Sequence, residues 1–130
     1  MNEPSIISDL KHLPDWQDRY QTIIEFGQQL EPFPDHWRTA EHFVKGCMSQ
    51  VWLAAEEKDG RFAFYGDSDA LIVKGLVALV IAVCNHKTRA ELQQTDIEKI
   101  FTSIHLSEHL SPTRRNGFAA LVGRIKQLTR

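Results

Sequence analysis

Apolar and polar positions follow two rhythms along this chain, and each predicts elements. From Asp15 onward, Trp16, Tyr20, Ile23, Ile24 and Leu30 fall on or near one face at helical spacing. Pro14 stands just before this stretch, Asp15 can cap it and Asp18 lies in its first turn, as a helix start requires. Glu31-Pro32-Phe33-Pro34-Asp35 breaks the helix, and the segment to Ala40, with Trp37 and Arg38, reads as a loop. The period then shortens to two. Gln50 to Glu57 and Arg61 to Tyr65 read as strands joined by Lys58-Asp59-Gly60, with Phe62 and Phe64 on one face. A shorter strand at His42 to Lys45 is expected to join them. Gly66-Asp67-Ser68-Asp69 reads as a strand-to-helix turn with capping side chains.

Ala70 to Cys84, interrupted by Lys74, is apolar almost all round. It is shorter than the roughly 20 residues that span a bilayer, so it reads as a core helix. Thr88 to Gln94 predicts a short helix and the run to His105 a compact segment. Ser111-Pro112 opens a last helix, in which Phe118, Leu121, Val122, Ile125 and Leu128 recur at helical spacing. Ser5 to Lys11 reads as a short helix, taken as a mobile lid or tail. The sum is one α+β domain over residues 1–130: a small three-stranded antiparallel sheet packed on one side by helices.

Composition narrows the classes of partner. The chain has 130 residues, 42% hydrophobic and 25% charged, with a net charge of -2, which suits one core. No basic stripe points to nucleic acid or to an anionic membrane, so a protein or a small molecule is the expected partner. The N-terminus lacks the basic start and apolar centre of a signal peptide. Two cysteines cannot build a disulfide framework, so a reducing, cytoplasmic setting with both thiols free is expected.

The two thiols differ in context. Cys84 ends the apolar helix and reads as packing. Cys47 follows Lys45-Gly46 and precedes polar Ser49-Gln50, where a loop runs into a strand. Gly46 lets the backbone bend just before the sulfur, so a thiol there can project while the strand behind it stays anchored. Free cysteines are most often buried and inert, but they usually lie inside periodic apolar segments, and Cys47 does not. Lys45 and His42 would favour the thiolate if the fold brings them near.

Other chemistry has less support. His105 and His109 are four apart and could share a helix face, but no further ligands follow at metal-site spacing. Two cysteines are half of what an iron-sulfur cluster usually takes. No hydrolase signature surrounds Cys47, and there is no GxGxxG or Walker loop for a nucleotide. Trp37-Arg38 reads as a cover for the sheet or as a partner-facing pair. Arg114 and Arg115 oppose the helix dipole in the first turn of the last helix; a solvated surface arginine is the default reading, and contact with an acidic group the alternative.

Three dense blocks bear a family likeness. Gly46-Cys47-Met48-Ser49-Gln50-Val51-Trp52-Leu53 resembles the Gly-Cys-x-Ser-x-Val-Trp segment of the SufE family, including its CsdE branch. Gly66 to Leu76 is similar to the family's Gly-Asp-Ser-x-x-x-Ile-Val-x-Gly-Leu block, and Leu110 to Gly117 to its Leu-(Ser/Thr)-x-(Ser/Thr)-Arg-x-x-Gly block. Trp16 through Gly27 also fits. One departure is His42, where family members often carry Asn. If that Asn organises the cysteine loop, His42 must do so differently, and its imidazole would add pH sensitivity near the thiol.

The resemblance implies a SufE/IscU-like fold and a sulfur acceptor. A pyridoxal-phosphate cysteine desulfurase, SufS- or CsdA-like, would load persulfide sulfur onto Cys47 and be stimulated in doing so. The sulfur would pass on to a cluster scaffold or another acceptor for iron-sulfur cluster assembly. The resemblance implies no cofactor on this chain, since the pyridoxal phosphate belongs to the partner, and the chain is not expected to act as a stand-alone enzyme. By the same resemblance, His42, Gly46, Asp69 and Arg114 are candidates for shaping the loop or contacting the desulfurase. The resting loop is expected to tuck Cys47 against apolar residues and to swing out on docking. The alternatives left open are a non-catalytic desulfurase-binding regulatory module and a cysteine hydrolase.

Overall fold

The computed structural model describes residues 4–46 and 49–130. Its elements follow the order α1 (Ser5–Lys11), α2 (Trp16–Gly27), β1 (Val51–Lys58), β2 (Arg61–Ser68), α3 (Leu71–Cys84), α4 (Arg89–Gln94), α5 (Ile97–Thr102) and α6 (Pro112–Leu128). α2, α4, α5 and α6 start where side-chain oxygens meet unpaired N–H groups, whereas α1 and α3 start at Pro4 and Ala70 without a side-chain cap, contrary to the capping expected before α3. Asp15 accepts from the Gln17 N–H, Ser111 from Arg114 and Asp96 from Lys99. Thr88 and Glu91 complete a reciprocal capping box.

The β1–β2 hairpin pairs antiparallel in full, from Val51 opposite Ser68 to Lys58 opposite Arg61. Asp59 and Gly60 turn it with positive φ angles of 55° and 77°. β2 therefore outruns its expected end at Tyr65, because Gly66 to Ser68 stay in register with β1. One face of the hairpin buries Val51, Leu53, Phe62 and Phe64 against the helices. The other is covered by the segment before β1. There Trp37 packs on Tyr65 at 5.3 Å between ring centres, and Phe43 on Trp52 at 4.9 Å.

The expected third strand is a correction. Among the described residues the sheet has two strands, and the His42 to Lys45 segment contributes a single bridge, Phe43 opposite Trp52. A 3-10 turn at Ala40–His42 precedes that bridge, and Gly46 bends the chain just after it with φ 95°. Too few extended residues remain between them to build a ladder.

The core lies between the hairpin and the helices, with α3 at its centre; Val77, Leu79 and Val80 are fully buried. α2 crosses α3 through a glycine contact: a Cβ on Gly27 would sit 2.6 Å from the Gly75 nitrogen, and one on Gly75 would meet the Ile23 carbonyl. The reading of α1 as a lid or tail is also overturned. Ile7 and Leu10 have no exposed surface and belong to the central apolar cluster.

Candidate functional site

Cys47 and Met48 lie outside the described residues, so the site is defined by what flanks them. On the entering side, Val44 donates its N–H to the Val51 carbonyl at 2.9 Å. Gly46 follows with φ 95°, a backbone conformation that disfavours any side chain. A Cβ there would also lie 3.3 Å from the Ala120 Cβ of α6. On the leaving side, Gln50 continues the hairpin by one pair. Asp69 donates its N–H to the Gln50 carbonyl at 3.3 Å, and the Asp69 carboxylate accepts the Gln50 N–H at 3.0 Å. The side chain thus takes the place of a backbone carbonyl in the ladder, leaving the chain free to turn into α3.

Beside the bend is an apolar cavity of about 30 Å³. Ser49, Val51, Val73, Leu76, Arg114 and Phe118 are among its walls. This brings Arg114 to the same cavity as Ser49, two residues past the cysteine. Its lining is mainly apolar, with Ser49, Thr113 and Arg114 as the polar residues. Three of the four flanking candidates lie beside residues that flank the cysteine: Gly46 directly before it, Asp69 on Gln50, and Arg114 at the cavity that Ser49 also lines. His42 lies five residues upstream in the 3-10 turn, half-buried, with Nδ1 3.3 Å from the Thr39 hydroxyl and its ring 5.9 Å from Trp37.

Two charged residues escaped the sequence reading of the site. Arg124 reaches from α6 to the segment that leads into the bend, donating to the Glu41 carbonyl at 3.1 Å and the Phe43 carbonyl at 2.7 Å. No local signal marks it, because its partners lie more than 80 positions away. Asp67, on β2, binds Arg38 at 2.7 Å and Lys74 at 3.4 Å. Burial pushes its carboxyl up, but the hydrogen bonds from Arg38 and Ser68 and the charges of Lys74 and Arg38 outweigh that and hold it below its usual value. Trp37-Arg38 thus serves to cover and pin the back of the hairpin.

The remaining candidates separate. Cys84 is a free thiol with no exposed surface, and burial pushes it up to about 12, against the opposing charge of Lys87. It is inert as a nucleophile at neutral pH. His105 and His109 share no helix face: His105 sits at φ 57° and meets Glu108, while His109 stacks on Trp16 at 4.0 Å. Among the described residues no group of three or more His, Cys, Asp or Glu side chains could hold a metal ion. Nor is any helix among them long and apolar enough to cross a membrane.

Helices packed on an antiparallel hairpin make a mixed α+β fold that a known structure shares. The solution structure of a hypothetical protein from Thermus thermophilus superposes with a TM-score of 0.78 at 19% identity, covering 99% of this chain and 96% of that one. Residues 4–129 match the model of the SufE family, described as an Fe-S metabolism associated domain. The chain belongs to that family. It is 44% identical over 125 residues to an uncharacterized SufE-like protein of Rhizobium meliloti, covering 93% of this chain and 89% of that protein. It is 43% identical over 126 residues to another from Rhizobium etli, covering 94% and 85%.

Proposed function

We propose that this protein is a sulfur acceptor that takes persulfide sulfur from a pyridoxal-phosphate cysteine desulfurase onto Cys47, stimulates that enzyme, and delivers the sulfur for iron-sulfur cluster assembly in the cytoplasm. The observation that carries the reading is the pair of anchors on the described residues to either side of the cysteine. Gly46 turns the chain on one side, Asp69 holds Gln50 on the other, and the apolar cavity with Arg114 on its wall lies beside them. Family membership supplies the sulfur context.

The transfer is an exchange between sulfurs. The Cys47 thiolate attacks the outer sulfur of the desulfurase persulfide; a new sulfur-sulfur bond forms on Cys47 and the old one breaks. The desulfurase cysteine leaves as a thiolate and regains a proton, equivalent to the one Cys47 gave up, so no oxidant is consumed. In-line approach requires a thiol carried to the partner's persulfide, and a short bend on an anchored stem is suited to that. An apolar cavity beside the bend suits a thiol sheltered between transfers, since exposed persulfides and thiolates oxidise. Leu71, 60% exposed at the start of α3 and two residues from Asp69, offers an apolar contact for a docking partner.

The test is intact-mass measurement without reductant after mixing the protein with a cysteine desulfurase and cysteine. Cys47 should gain sulfur, and Cys47→Ser should not. Full stimulation of the desulfurase by Cys47→Ser would favour the regulatory binding module instead, and turnover of an ester or amide by the protein alone would favour a hydrolase.

A further inference from the structure

We infer that Arg124 is a positioning residue for the sulfur-bearing bend, holding its entering stem so that the thiol is presented in one direction; this rests on the sulfur-acceptor reading. One planar guanidinium spans the carbonyls of Glu41 and Phe43, at 3.1 and 2.7 Å. The geometry uses the fixed fork of arginine, and a lysine ammonium, a single point of charge, would not reproduce both bonds.

The stem needs such a hold because the sheet supplies little. The segment joins β1 through one bridge and the Val44 to Val51 hydrogen bond. A ladder of several pairs would fix its direction; here one pair, the Phe43–Trp52 ring contact and the buried Val44 side chain hold it from the sheet side. Arg124 adds the restraint from the helix side, on the carbonyls just before the bend. Ala120 lies four residues earlier on α6, hence on the same face, and packs beneath Gly46. One stripe of α6 therefore carries the bend on Ala120 and its stem on Arg124. With Asp69 gripping Gln50 on the far side, both ends of the bend are tied to helix or helix-start residues.

The consequence is kinetic. In-line displacement requires the nucleophile to approach the attacked outer sulfur from the side opposite the leaving sulfur, so a pivoting stem loses productive encounters while small reagents still reach the thiol. Arg124→Ala should therefore lower the rate of sulfur loading onto Cys47 by about ten-fold, from the loss of charge-assisted hydrogen bonds. Alkylation of Cys47 by iodoacetamide should rise. Arg124→Lys should recover part of the loading. Lys126→Gln, which breaks the 2.6 Å pair with Glu98 on the same helix, should load as the wild type does.

Mass spectrometry of both cysteines provides the control. Cys84 is buried, so its alkylation reports loss of the fold. Slower loading by Arg124→Ala with Cys84 unlabelled, and partial rescue by lysine, supports the inference. Loading at the wild-type rate overturns it, as does a loss matched by Cys84 labelling, or one that Lys126→Gln reproduces. If the wild type itself gains no sulfur, the acceptor reading fails. The alkylation comparison then decides the restraint by itself: an unchanged or slower Cys47 rate in Arg124→Ala overturns it, and a faster rate with Cys84 silent supports it.

Discussion

Asp69 and Gln50 are joined by two hydrogen bonds, one from backbone to backbone and one through a carboxylate that substitutes for a carbonyl. This pair closes the end of the hairpin where the cysteine bend leaves it. The same residue that starts the turn into α3 therefore also fixes the leaving stem of the bend.

Replacing Asp69 by alanine removes the acceptor for the Gln50 N–H. At this exposed position the expected loss of stability is about 0.5–1 kcal/mol, read from urea unfolding. Cys47 should alkylate faster while Cys84 stays silent. Asp69→Asn keeps an oxygen at the same place and should stay close to wild type in both measurements. Equal behaviour of the alanine and asparagine variants would show that this bond does not restrain the bend.

At Gly46 the backbone itself sets the limit. With φ at 95° and Ala120 beneath, an alanine there strains the backbone and crowds α6. The expected cost is about 1–2 kcal/mol in stability, with sulfur loading reduced as the bend shifts. Thermal unfolding together with the loading assay measures both. A Gly46→Ala protein as stable as wild type would mean that the bend relaxes without resistance.

The Arg38–Asp67–Lys74 cluster predicts an acid limb. The Asp67 carboxyl titrates below its ordinary value near 3.8, so the stability it confers is fully present above that value. It is lost as pH falls through the lower folded-state value. The difference in urea midpoint between wild type and Asp67→Asn should be constant from neutral pH down to about 5 and shrink below about 4. A difference that persists unchanged at about pH 3 would rule out this ion cluster as its source.

Several features were legible because they are local. The caps at Asp15 and Ser111 were readable from neighbours two or three residues away. So was the hairpin, from its alternation and Asp59-Gly60, and so was the packing role of Cys84, from the apolar run it ends. The errors share a different origin. His42 to Lys45 has the residues of a strand, but the turns on both sides leave room for one bridge. α1 has too few residues to announce a core role, and only its docking onto the central cluster buries Ile7 and Leu10. His105 and His109 have helical spacing, yet the chain between them does not form one regular helix.

By itself, then, the sequence determined the α+β class, the main elements, the family likeness and the cysteine on which the proposed chemistry rests. Spacing, capping and motif residues act over a few positions, and those interactions are written in order along the chain. The tertiary structure alone decided how the bend is held. Ala120 and Arg124 meet it from across more than 70 residues, and Asp69 closes its far side only because β1 and β2 pair in one particular register. Contacts of that kind depend on which faces pack together, and no local pattern encodes them.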